Sequence, residues 1–220
     1  QFRLDKSDCG KHLELQFDGI ATHATVWVNG LLVHRNFCGY TPFTVDLTPI
    51  ANYGDSINTI VVRVDANEQE GWWYEGGGIY HHTWLTKRAP VHLQTDGVYA
   101  APKRDEAGKW TVPVEAELNN IETADVPVSV TTELLDDTGK VVTSASTQTT
   151  APSLETALAR VVLDVPGTPR LWSPDSPALY KVRVAVSREG RVVDESTVPC
   201  GFRTLRFDPN LGFFLNEKPL

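Results

Sequence analysis

The chain has 220 residues, 41% of them apolar and 22% charged, with a formal net charge of −8. That balance fits folded globular domains, and the acidic sign argues against nucleic acid as a partner, which needs Lys and Arg clustered on phosphates. No apolar run approaches the ~18 residues that cross a bilayer, so no membrane partner is expected either.

Cys9, Cys38 and Cys200 form neither a disulfide framework nor a zinc pattern. Buried free thiols are expected, with a Cys9–Cys38 bridge as the alternative, and the compartment stays open. There is no methionine, so residue 1 is not a natural start and the chain is expected to be a piece of a longer protein.

In chain order the segments alternate with period two and are punctuated by turn residues, which predicts an all-β protein. His12 to Phe17 is the first strand. Ala24 to Val28 and Leu31 to His34 flank Asn29-Gly30, a pair suited to the positive φ angles of a two-residue hairpin turn. Leu47 to Tyr53 has some helical character, but Pro49 makes it a turn. Ile60, Val62 and Val64 share one face of the next strand. Val91 and Leu93 are read as closing a first set of strands, with Thr95-Asp96-Gly97 as connector.

Beyond it, Trp110, Val112, Val114, Ala116 and Leu118 face a core, as do Val126, Val128, Val130, Thr132 and Leu134. A turn at Asp136-Asp137-Thr138-Gly139 comes next, then strands over Thr156 to Val165, Leu179 to Val186 and Val192 to Val198. About seven short strands in ~110 residues predict an immunoglobulin-like sandwich, without the Cys-Trp-Cys spacing of antibody domains. Gly212 to Leu215 is a final apolar strand, and no internal repeat is present.

The stretch EGWWYEGGGIYHHTWL, Glu70 to Leu85, concentrates the residues suited to a site. Trp and Tyr rings stack on sugar C–H groups and hydrogen-bond at their edges; the bland alternative is that they fill the gap between a loop and its sheet. Glu68, Glu70 and Glu75 raise the two-carboxylate chemistry of glycosidases, yet all three sit on one loop, where solvated carboxylates are the simpler reading. His81 and His82 are adjacent and would point to opposite faces of a strand, with no carboxylate at ligand spacing beside them, so no metal site is expected. Neither a Gly-rich phosphate loop nor a nucleophile elbow is present.

Four segments in order carry a family resemblance: FDGIATHATVWVNG (Phe17 to Gly30), WWYEGGGIY (Trp72 to Tyr80), LWSPDSPALY (Leu171 to Tyr180) and GFRTLRFDPNLGFFLNEKPL (Gly201 to Leu220). Together they resemble the N-terminal, non-catalytic part of glycoside hydrolase family 2, across essentially the whole chain. The resemblance implies a jelly-roll (galactose-binding-like) β-sandwich over residues 1–94, its first strands missing. An immunoglobulin-like β-sandwich would come next over 95–206, and residues 207–220 would lead into a (β/α)8 barrel. The family's two catalytic glutamates lie in that barrel, so no catalytic residue is expected here.

Within the family the resemblance is greatest to β-galactosidases, with a β-glucuronidase- or β-mannosidase-type member as the alternative. It implies a carbohydrate substrate, the missing barrel as partner, possible assembly into a homo-oligomer, and Mg or Na as an ion of the parent enzyme rather than of these residues. Trp72, Trp73, Tyr74 and Glu75 are the substrate-binding candidates, as the residues that would reach the barrel mouth. Family members often carry Arg after Gly-Ile-Tyr, where this chain has His81. From another class, a stand-alone carbohydrate-binding module is the competing reading, and a structural adhesin-like pair of sandwiches the third.

Overall fold

A computed structural model describes residues 1–67 and 76–219, which fall into two compact units, Gln1–Pro90 and Val91–Leu220. In the first, a 3₁₀ turn at Lys6–Asp8 precedes eight strands. They are β1 (His12–Phe17), β2 (Ile20–Ala21), β3 (His23–Val28), β4 (Leu31–Asn36), β5 (Phe43–Asp46), β6 (Ile60–Asp65), β7 (Gly78–Ile79) and β8 (Thr83–Arg88). All pairs are antiparallel; two three-stranded sheets, β5-β1-β8 and β4-β3-β6, form with a short β2-β7 ribbon.

Period-two alternation fixes which side of each strand is buried. Leu13, Leu15 and Phe17 of β1 and Ala24, Val26 and Val28 of β3 enter one core with Leu4, Ile20, Val45 and Leu47. Burying each large side chain stabilises by roughly 1.5–3 kcal/mol before conformational entropy is counted. Phe17 stacks on Phe43 at 5.1 Å between centroids. The β3–β4 hairpin closes through Asn29-Gly30 at φ 52° and 84°, with Val28 opposite Leu31. At Leu47 to Tyr53 the chain makes a turn, the Ile50 N–H donating to the Leu47 carbonyl at 3.0 Å.

Asp8 is a buried charge in this unit, 3% exposed. Its carboxylate accepts from Lys11 Nζ at 2.8 Å and from Lys87 Nζ on β8, clamping the 3₁₀ turn to the sheet. The hydrogen bonds from Lys11 and then Lys87 lower its pKa from 3.8 to about 2. A folded-state pKa below the unfolded one means the stabilisation is complete above about pH 4 and is lost as pH falls toward 2. Asp8→Asn is therefore expected to destabilise the chain at pH 7 and to flatten the acid limb of a plot of urea-unfolding free energy against pH. An acid limb unchanged from the parent would show that other carboxylates carry it.

The second unit contains β9 (Val91–Ala100), β10 (Lys103–Arg104), β11 (Trp110–Asn120), β12 (Val126–Leu135), β13 (Val141–Ala151), β14 (Thr156–Asp164), β15 (Tyr180–Arg188) and β16 (Arg191–Cys200). It ends with β17 (Leu205–Asp208), β18 (Gly212–Leu215) and β19 (Lys218–Pro219). One sheet joins β9, β10 and β14 to β11, and the other runs β13-β12-β15-β16. The long strands of these two sheets make the immunoglobulin-like sandwich, with the inward residues of β11 and β12 in its core.

Two readings of the sequence are corrected here. Val91 and Leu93 do not close the first set of strands, because they belong to the core of the second unit. Thr95-Asp96-Gly97 is no connector either, since β9 runs through it as a bulge. Leu118 pairs Leu93 while Ala116 pairs Val98, and Asp96 takes φ 56°. A bulge uses the same positive-φ chemistry as a turn, which is why the two look alike in a sequence.

The C-terminal motifs are knitted together by one backbone bond and the Asn216 side chain. The Trp172 N–H donates to the Phe202 carbonyl at 2.8 Å, and Asn216 Nδ2 donates to the Trp172 carbonyl at 3.0 Å. Asn216 Oδ1 accepts the Thr204 N–H at 3.1 Å, closing β17, β18 and β19 onto LWSPDSPALY.

All three cysteines are free. Cys200 is buried as expected, and burial pushes its thiol up to about 11, leaving it unreactive. Cys9 and Cys38 are exposed instead, because they fall at the end of the 3₁₀ turn and in the loop after β4 rather than on inward strand positions.

Candidate functional site

Glu68, Glu70, Trp72, Trp73, Tyr74 and Glu75 lie outside the described residues. The segment that follows, from Gly76, pairs with β2 through β7. A Cβ on Gly77 would stand 2.6 Å from the Ala66 Cβ, so the strand end passes here only as glycine. Gly78 has φ 116° and pairs Ala21, placing Ile79 opposite Ile20. The glycine run is thus a close-approach corner feeding β7.

Tyr80 comes next, its hydroxyl donating to the Gly39 carbonyl at 2.8 Å. Its ring lies so close over Gly19 that a Cβ there would meet it at 2.8 Å. Beside it a cleft of about 100 Å³ is lined by Ala21, Thr22, Gly39, Tyr40, Gly77 and Tyr80. Small-molecule sites usually enclose roughly 300–1,000 Å³, so this cleft alone does not hold a sugar ring. Tyr40, Tyr80 and Trp84 are all exposed large aromatics.

The histidine pair departs from expectation. Strand alternation does not apply to His81 and His82, because the chain bends between β7 and β8. Their rings sit 5.5 Å apart, and Asp18, just past the end of β1, approaches both. Asp18 Oδ2 is 3.8 Å from His81 Nδ1 and 4.0 Å from His82 Nδ1. The carboxylate that sequence spacing did not supply therefore comes from another strand end. The Asp18 N–H donates to the His82 carbonyl at 3.0 Å, which locks the two segments together. His82 also stacks on Trp84, 5.3 Å between centroids and 27° between planes. The adjacency of β1 and β8 in one sheet positions all of this, pairing Phe17 with Thr83.

In the second unit a larger hollow of about 440 Å³ is lined by Tyr99, Pro102, Trp172, Leu179, Arg203 and Leu205 among others. Arg203 lies 5.0 Å over the Trp172 ring, a cation–π contact worth about 0.5–1 kcal/mol at an exposed site. Among the described residues no carboxylate lines this hollow.

The described residues form two β-sandwich units, one of them with a glycine-cornered edge of aromatics and histidines. The chain belongs to glycoside hydrolase family 2, since residues 91–203 match the family described as Glycosyl hydrolases family 2. A β-galactosidase of Bacteroides ovatus is 33% identical over 218 residues, covering 99% of this chain and 25% of the relative. A β-glucuronidase of Formosa agariphila is 28% identical, covering all of this chain and 24% of the relative. Among solved structures, a family 2 glycosyl hydrolase from Bacteroides cellulosilyticus superposes with a TM-score of 0.92 at 34% identity, over 99% of this chain and 30% of that one. The chain thus spans about a quarter of the length of the curated relatives it matches.

Proposed function

We propose that the chain is the non-catalytic β-sandwich region of a retaining β-glycosidase, a β-galactosidase acting on terminal β-galactosides. The observation that carries this reading is full coverage of the chain against a quarter of each relative: its two sandwiches recur whole within proteins several times longer. In this reading the two carboxylates, held about 5–5.5 Å apart for double displacement, belong to a barrel outside these residues, as does any Mg²⁺ or Na⁺ the enzyme uses. The sandwiches support that barrel, and the exposed aromatic edge at Tyr80 and Trp84 faces it. In the same reading Trp72, Trp73, Tyr74 and Glu75 are the candidates for substrate contact. The choice of galactoside over glucuronide rests on the form of the GGGIYHHTWL and GFFLNEKPL segments, and relatives with both activities support the wider β-glycosidase class.

Two measurements test it. The purified 220-residue chain is expected to release no p-nitrophenol from aryl β-galactosides or β-glucuronides, and to give no saturable heat with galactose or lactose. The gene read onward from Leu220 is expected to encode a barrel with two glutamates at strand ends, and its full product to prefer the galactoside. Turnover by the chain alone overturns the proposal, as does a stop codon directly after Leu220. Sugar binding by the chain alone would favour the stand-alone module instead, and preference for the glucuronide would overturn the substrate while keeping the class.

A further inference from the structure

Asp18, His81 and His82 place three ligating atoms within 4.8 Å of one another on the surface of the first unit. The two measured carboxylate–imidazole separations, 3.8 and 4.0 Å, are too long for hydrogen bonds. Two atoms can share one zinc-like ion at about 2.0–2.1 Å only if they lie within roughly 4.2 Å of each other, and both separations meet that limit. The third pair also lies within 4.8 Å, and the exposed His81 side chain can turn to close it. We propose that Asp18, His81 and His82 bind one divalent transition-metal ion of the Zn²⁺ type.

The carboxylate is held as a metal ligand needs to be. Asp18 Oδ1 accepts from Gln16 Nε2 at 2.9 Å, and Oδ2 accepts from Trp84 Nε1 at 2.9 Å. Such outer donors fix the direction of the remaining lone pair and so lower the cost of ordering it on binding. Stacking on Trp84 restrains the His82 ring in the same way. Two imidazoles with one carboxylate select Zn²⁺, Ni²⁺ or Cu²⁺ over Mg²⁺ and Ca²⁺, which prefer all-oxygen sets. A simple ion pair accounts less well for the arrangement. One carboxylate needs one protonated imidazole, and a second cation beside it would be repelled, whereas a metal uses both Nδ1 lone pairs. Three protein ligands leave positions open to solvent, the pattern of a site that can take a fourth ligand.

The test is titration calorimetry of the tag-free chain with ZnCl₂, with MgCl₂ as control. One Zn²⁺ is expected per chain, with no Mg²⁺ heat. His81→Gln and His82→Gln are each expected to weaken Zn²⁺ binding at least tenfold, a floor of about 10-fold being what loss of even an outer partner costs. Both rings are exposed, so these variants should melt like the parent without metal; Zn²⁺ should raise the parent's melting temperature and leave theirs unmoved. Trp84→Phe keeps a stacking ring and removes only the donor to Oδ2, and should weaken binding by about tenfold. No saturable Zn²⁺ binding at millimolar concentration overturns the proposal. So does undiminished binding in both histidine variants, which would move the ion to other ligands such as the exposed thiols of Cys9 and Cys38.

Discussion

Phe202→Ala is expected to destabilise the second unit by about 4 kcal/mol, lowering its melting temperature by roughly 12–16 °C. Phe202 is fully buried and meets two aromatics edge-on: Trp110 at 5.3 Å and 89°, Tyr180 at 4.9 Å and 85°. Truncation removes the transfer free energy of the ring, leaves a cavity the surrounding strands cannot close, and forfeits two aromatic contacts of about 0.5–1.5 kcal/mol each. The backbone bond from the Trp172 N–H to the Phe202 carbonyl survives the truncation, so the loss is that of the ring alone. Calorimetry of the whole chain reads the effect. Phe207→Ala serves as the control, since Phe207 is 78% exposed and should shift stability by less than about 0.5 kcal/mol. Equal shifts in the two variants would mean that the three-ring cluster does not hold the sandwich together.

The same residues explain what could be read from the sequence. Strands with one buried face must alternate, so β1 and the inward residues of β11 and β12 were legible from period two alone. Asn29-Gly30 announced its hairpin because few other pairs tolerate two positive φ angles. Family membership was legible too, through motifs whose order matters more than any one of them. Contacts between distant segments were not. Asp18 reaches His81 and His82 only because β1 and β8 are neighbours, and nothing in local spacing announces that pairing. The bulge in β9 looked like a connector because Asp-Gly chemistry serves both. Strand alternation misled at the histidines since a bend, invisible to periodicity, had already ended β7. Substrate choice lies further off still, because sandwiches alike in length and fold occur in relatives named for galactosides and for glucuronides.

Asn58→Ala is expected to cost the first unit about 3 kcal/mol, although no apolar contact of note is lost. Asn58 is 1% exposed, and its amide makes three side-chain hydrogen bonds. Oδ1 accepts the Asn52 N–H at 2.8 Å and Asn29 Nδ2 at 3.0 Å, while Nδ2 donates to the Asn52 carbonyl at 2.8 Å. Its backbone pairs with Phe2 in both directions, at 2.9 and 3.0 Å. The segments around Asn29 and Asn52 therefore converge on one buried side chain, and alanine removes the partner of both the Asn52 N–H and its carbonyl. Asn58→Asp makes the argument sharper. It keeps both accepted bonds but, once ionised, offers no proton to the Asn52 carbonyl and buries a charge. Burial raises the folded-state pKa of such a carboxyl above its unfolded value of about 3.9, so the penalty grows as pH rises through that range and beyond. Asn58→Asp should thus be the less stable of the two variants at pH 7 and should gain on Asn58→Ala as the pH is lowered toward 5, where the protonated acid can donate in place of Nδ2. Urea unfolding of both variants across that range measures the crossing. A parallel pH dependence, or an alanine variant within about 0.5 kcal/mol of the parent, would show that the Asn29–Asn52–Asn58 knot is incidental to stability.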